Sequence, residues 1–144
     1  MIATVLVADD DPDILDLITA LLAEEGFQTV ACSDGLEALH YVRVQRPALV
    51  IVDLAMPVMD GRELIKRLRK EPGPPLPIIA MSATIYAPPS EELQVDAYLT
   101  KPFDLEELLE YAHALSSQGS VIDTLKPEDS LSLISIRQSV SDLP

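Results

Sequence analysis

Thr4-Val5-Leu6-Val7-Ala8-Asp9-Asp10-Asp11-Pro12 holds the decision about the fold. The apolar run with its β-branched residues reads as a strand buried on both faces. Three acids end it. Pro12 then suits the first position of a helix, with Asp11 as its N-cap. Ile14, Leu15, Leu17, Ile18, Leu21 and Leu22 recur at helical spacing, and Gly26 stops the helix. A buried strand, an acidic edge and an amphipathic helix make one βα unit.

The same unit repeats downstream. Phe27 to Cys32 reads as a second strand, and Asp34 to Gln45 as a helix with Leu36, Leu39 and Val42 inward. Ala48-Leu49-Val50-Ile51-Val52 is again fully apolar and ends on Asp53. A third helix runs from about Gly61 to Lys70 with Leu64, Ile65 and Leu68 inward, and the Pro-rich stretch from Glu71 to Pro77 is a loop. Ile78-Ile79-Ala80-Met81 and Ala97-Tyr98-Leu99-Thr100 are the fourth and fifth strands, and Asp104 caps a last helix through about Leu115. Glu106 and Glu107 occupy its first turn, where the helix dipole favours acids.

Such alternation predicts an α/β fold, a flavodoxin-like, doubly wound, five-stranded parallel sheet with helices on both faces. Residues 1–116 are expected to form this domain, with 117–144 a Ser-rich tail or linker. The tail's one apolar patch, Leu131, Leu133, Ile134 and Ile136, reads as part of a linker. The competing expectation is that it covers apolar surface near the fourth and fifth strands, in cis or from a second chain.

Composition narrows the function. A net charge of −14 argues against direct nucleic-acid binding, because phosphate contacts need a basic surface. No apolar run is long enough for a membrane span, and the opening residues lack the basic region of a signal peptide. A single cysteine, Cys32, forms no internal disulfide, which suits the cytoplasm.

Ligands bind at the carboxyl ends of the strands in open parallel sheets. Those ends carry Asp9 and Asp10, Asp53, Ser82 and Lys101. Crowded carboxylates either raise a pKa or recruit a cation, and a hard divalent ion such as Mg²⁺ suits oxygen ligands. Lys101 adds an ammonium before Pro102, and Ser82 a hydroxyl. Cation, ammonium and hydroxyl are what a transferred phosphoryl group needs, with an aspartate as nucleophile. Asp11 is better read as a helix cap, His40 and His113 as surface side chains, and Cys32 as core. Tyr86 is a surface aromatic or a partner contact.

Val7-Ala8-Asp9-Asp10, Val52-Asp53-Leu54-Ala55-Met56-Pro57-Val58-Met59-Asp60-Gly61, Met81-Ser82-Ala83 and Tyr98-Leu99-Thr100-Lys101-Pro102-Phe103 stand in the order of the response-regulator receiver family, which the chain resembles from residue 3 to about 116. That resemblance implies a signalling switch of a two-component system. Asp53 would accept phosphate from a phosphohistidine on a sensor histidine kinase or phosphotransfer protein. Asp9 and Asp10, with Asp53 and the main-chain carbonyl of Ala55, would hold Mg²⁺. Ser82 and Lys101 would contact the phosphoryl group, and Tyr98 would be the aromatic that swings inward on activation. A downstream protein and a second copy of the chain are the remaining candidate partners.

Two features depart from the family pattern. Ala55 has no side chain to steer an attacking water. Ser82 and Lys101 are nineteen positions apart, a short separation for the family, and Pro88 and Pro89 lie between them. A stunted fourth helix, about Pro89 to Gln94, is expected. Two other classes compete. A magnesium-dependent aspartyl phosphatase would carry an acid where Ala55 stands. A phosphorylation-independent interaction module would be expected to have lost Asp53 or Lys101, and both are present.

Overall fold

The central runs 5–8, 49–52 and 78–81 are apolar throughout, and polar side chains follow only at their carboxyl ends, whereas the edge run 28–32 opens on Gln28 and Thr29. In the computed structural model, residues 2–83 and 93–117 are described. They form five parallel strands in the order β2-β1-β3-β4-β5: β1 (Thr4–Ala8), β2 (Gln28–Cys32), β3 (Leu49–Asp53), β4 (Ile78–Ser82) and β5 (Ala97–Thr100). The helices are α1 (Pro12–Glu24), α2 (Gly35–Val44), α3 (Gly61–Lys70) and, after β5, α4 (Leu105–Ser116). The expected doubly wound α/β fold is the one observed.

Alternation along the strands divides the core in two. Leu6, Val50, Val52, Ile78 and Ala80 face α2 and α3, while Val5, Val7, Ile51, Ile79 and Leu99 face α1 and α4. β3 and β4 are buried at every position, as central strands covered on both faces must be.

Each of α1 to α4 begins on an aspartate whose side chain accepts from a first-turn amide: Asp11, Asp34, Asp60 and Asp104. α2 and α3 share the start Asp-Gly-x-Glu, and close packing explains their glycines. A Cβ at Gly35 would lie 2.3 Å from the Met59 carbonyl oxygen, and one at Gly61 would lie 2.3 Å from that of Asp53. The start of α2 is thereby pressed against the loop that launches α3, and the start of α3 against the end of β3.

One inward expectation fails, and one apolar residue at helical spacing also lies outside the core. Leu36 is 52% exposed and Leu17 46%. On α2 the buried face is set by Gly35, Ala38, Leu39 and Val42, and at 100° per residue Leu36 lies a quarter-turn away. Ile18 and Leu22 define the inner face of α1, and Leu17 falls well outside their arc.

Arg69, near the end of α3, ties three segments together. Its guanidinium donates to the carbonyls of Gln94 (2.7 Å) and Leu76 (2.6 Å) and lies 3.4 Å from Asp96 Oδ2, which also accepts from the amide of Ile78 at 2.8 Å. The expected short fourth helix, with Tyr86, Pro88 and Pro89, falls mostly outside the described residues. Leu93 is helical, and Gln94 turns with φ 55° before β5. The tail and its patch at Leu131 to Ile136 also lie outside the described residues.

Candidate functional site

The carboxyl ends of β1, β3, β4 and β5 are locked by backbone bonds that continue the sheet. Asp9 N donates to Cys32 O at 3.1 Å, Leu54 N to Met81 O at 2.9 Å and Lys101 N to Ser82 O at 2.7 Å. Asp9, Asp53 and Lys101 therefore start from fixed positions on one sheet edge.

Their side chains converge. One carboxylate oxygen each of Asp9, Asp10 and Asp53 lies within 4.8 Å of the others. Asp9 is fully buried and Asp53 is 5% exposed, while Asp10 stands exposed at the rim. Lys101 Nζ sits 2.8 Å from Asp9 Oδ2 and 3.4 Å from Asp53 Oδ2, so one ammonium is shared between two buried acids. Asp9 Oδ1 accepts the Asp11 amide at 2.9 Å, and Asp53 Oδ1 faces the Ala55 amide at 3.4 Å. Asp11 is occupied as the cap of α1, accepting from the amide of Asp13 at 2.9 Å.

The electrostatics follow from this crowding. Burial pushes the Asp53 carboxyl above the usual carboxylate range, and the neighbouring Asp9 charge pushes the same way. The Lys101 ammonium and the Ala55 amide pull it back only in part. Burial opposes the charge on Lys101, yet its hydrogen bond to Asp9 and the Asp53 and Asp9 charges outweigh that and raise its pKa. Lys101 thus stays cationic at neutral pH. Three carboxylates against one ammonium leave negative charge to neutralise, and their oxygen donors suit a hard divalent cation.

Ser82 is 6% exposed at the end of β4, paired in register with Thr100. Tyr98 is 7% exposed, packed among the α2–α3 side of the core, and its buried hydroxyl has no hydrogen-bond partner among the described residues. Ala55 is exposed beside the acidic cluster. His40 and His113 are exposed, the latter 3.3 Å from Glu25. Burial, then Glu37 and Asp34, push the Cys32 thiol up to about 12, so it remains a protonated core thiol.

Two contributors escaped the sequence reading. The contact of Gly61 with the Asp53 backbone was invisible, although a glycine at the first helical position was its signal. Val58 takes φ 69° at 78% exposure, with the Met59 amide bonded to the Pro57 carbonyl at 2.8 Å, a tight turn between β3 and α3. Nothing in a valine announces such a turn.

The family model for the response regulator receiver domain matches residues 5–113. The chain belongs to that family. Receiver domains act as switches in two-component signalling and interact with histidine kinases. This one is 39% identical over 106 residues to the DNA-binding response regulator MtrA of Mycolicibacterium smegmatis, covering 73% of this chain and 46% of that protein. The chain thus spans about half the length of the curated relatives it matches first. The Francisella response regulator 1452 receiver domain superposes with a TM-score of 0.73 at 36% identity, covering 81% of this chain and 98% of that one. A receiver domain of sensor histidine kinase PA1611 from Pseudomonas aeruginosa PAO1, with a magnesium ion coordinated in its active site cleft, matches with a TM-score of 0.73 at 29% identity. It covers 81% of this chain and 99% of that one. No helix among the described residues is long and apolar enough to cross a membrane.

Proposed function

We propose that this receiver domain is a phosphorylation-dependent switch in which Asp53 takes a phosphoryl group from a phosphohistidine of a sensor kinase or phosphotransfer protein. The observation that carries the reading is the acidic cluster itself, with Lys101 Nζ 2.8 and 3.4 Å from two of its members. A carboxylate oxygen of Asp53 attacks phosphorus as the P–N bond breaks, and the electron pair returns to the imidazole, which takes a proton from solvent. Asp9, Asp10, Asp53 and the main-chain carbonyl of Ala55 are the ligands assigned to Mg²⁺, which when bound neutralises charge on the phosphoryl oxygens.

The remaining roles fall to groups already placed at the sheet edge. Lys101 follows the charge from the carboxylates to the new phosphoryl group, and Ser82 donates its hydroxyl to it. Tyr98, buried behind them, couples the change to the outer surface. The chain is thus a substrate of phosphotransfer with at most slow self-dephosphorylation. The receiver unit is residues 1–116, in the cytoplasm with its kinase, and 117–144 is a tail or linker.

Asp10 and Asp11 divide the labour, and substitution tests it. Asp10→Ala should abolish magnesium-dependent phosphorylation with acetyl phosphate. Asp11→Ala should cost about 1 kcal/mol of stability from the lost N-cap and leave Mg²⁺ affinity nearly intact. Equal loss of affinity in both variants would refute the division.

Lys101→Ala should still accept the phosphoryl group but no longer respond to it. The expected readout is phosphoryl uptake on Asp53 without the change in amide chemical shifts along β4 and β5 that the parent should show. A variant that shifted normally would make Lys101 only a structural counter-ion.

A further inference from the structure

The described cations are segregated: seven of the eight Lys and Arg residues lie between Arg43 and Lys70, on or beside α2 and α3, whereas α1 and α4 contain none. In a chain of net charge −14, one face of the sheet is acidic and the other carries the positive charge. Part of this has an internal explanation. Arg43 pairs with Glu71 at 2.6 Å, Arg67 with Glu63 at 3.0 Å, Arg46 donates to the Pro74 carbonyl, and Arg69 is consumed by the loops before β4 and β5.

Arg62, Lys66 and Lys70 are left over. All three are exposed, and none makes an ion pair among the described residues. They stand at i, i+4 and i+8 of α3, forming one row of like charge, an arrangement that costs a helix stability. α2 carries a second row at the same spacing, Leu36, His40 and Val44, with Leu36 52% and Val44 71% exposed. Two open grooves of about 480 and 400 Å³ border these rows, the first lined by Leu36, Leu39 and His40 with the acids Asp34 and Glu37, the second including Lys66 and Lys70, and Arg43 lines both. One apolar row and one cationic row adjoin across Arg43.

We propose that the outer face of α2 and α3 docks an acidic amphipathic helix of a partner protein, its apolar row on Leu36 and Val44 and its carboxylates on Arg62, Lys66 and Lys70. Helix-in-groove recognition uses such paired rows. A nucleic-acid backbone fits less well, because it offers no apolar row to lie on the exposed Leu36 and Val44. A second copy fits less well too. Its acidic helices α1 and α4 have turned apolar residues such as Ile18, Leu22 and Leu108 into the core, and two copies at −14 repel each other.

The test is a fluorescence-anisotropy titration of the full chain with the labelled peptide acetyl-LEELLEELLEEL-amide. Binding is expected at low salt and should weaken at high salt. The double variant Lys66→Glu/Lys70→Glu should lose at least about tenfold in affinity, and Leu36→Ser should weaken binding independently. Lys66→Arg/Lys70→Arg should restore it. These residues lie on the surface, so the variants should stay folded with only small changes in melting temperature and keep the parent's phosphoryl uptake at Asp53. No binding by the parent, equal binding by the charge-reversed chain, or equal binding of a scrambled peptide of the same composition would overturn the proposal. So would a DNA oligonucleotide or self-association showing the same dependence on Lys66 and Lys70.

Discussion

Asp53→Asn should abolish phosphoryl uptake and, in magnesium-free buffer at a pH where the parent carboxyl is ionised, raise the melting temperature. The carboxyl is buried and its pKa is raised, by burial first and then by the Asp9 charge. A raised carboxyl pKa in the folded state contributes stability that is fully present below the unfolded value and is lost as pH rises through the folded value. Above the folded value the ionised Asp53 is therefore a burden on the fold, and a neutral amide of the same shape removes it. Lys101 keeps its 2.8 Å partner, Asp9, in the variant. The advantage of the Asn chain should shrink as pH falls and Asp53 protonates in the parent. Mg²⁺ should stabilise the parent and do much less for the variant. A variant less stable than the parent in that magnesium-free buffer would mean that the Lys101–Asp53 contact outweighs the cost of burying the charge.

Gly61→Ala should damage both the fold and the acidic site. The added methyl would sit 2.3 Å from the carbonyl oxygen of Asp53 and 2.7 Å from the Leu54 Cα, and both obstacles are backbone. Neither can rotate away as a side chain would. The Gly61 amide also donates to the Leu54 carbonyl at 2.9 Å, so α3 cannot move off without breaking that bond. Overpacking of this kind costs about 3 kcal/mol, or roughly 10 °C in melting temperature. Because the displaced atom belongs to Asp53, the rate of phosphoryl uptake should fall as well. Arg62→Ala, one residue on and exposed, is the control and should change stability by no more than about 0.5 kcal/mol. An alanine variant with the parent's melting curve would show that the end of β3 yields more easily than its packing indicates.

What could be read from the sequence was what neighbours along the chain determine. The apolar runs at Val5–Ala8 and Leu49–Val52 could be little else than buried strands, and each aspartate before a helical pattern is a cap in the structure. The strand-end rule then brought Asp9, Asp10, Asp53, Ser82 and Lys101 to one edge, where the structure places them. Packing between elements was less legible. Leu36 has the spacing of a core residue, but the inner face of α2 is decided by the small residues Gly35 and Ala38. That Lys101 divides itself between Asp9 and Asp53 depends on the sheet order, and so does the pressure of Gly61 on Asp53. The arc of Arg69 across Leu76, Gln94 and Asp96 joins three segments distant in sequence, with no local pattern to mark it.

Intact-mass spectrometry of the chain after incubation with acetyl phosphate, with Mg²⁺ and with chelator, tests the phosphoryl-acceptor reading most directly. One phosphoryl group should be gained with Mg²⁺ and none with chelator, and borohydride reduction followed by peptide mapping should find it on Asp53. No gain with Mg²⁺, or a gain that maps to another residue and survives Asp53→Asn, would contradict it.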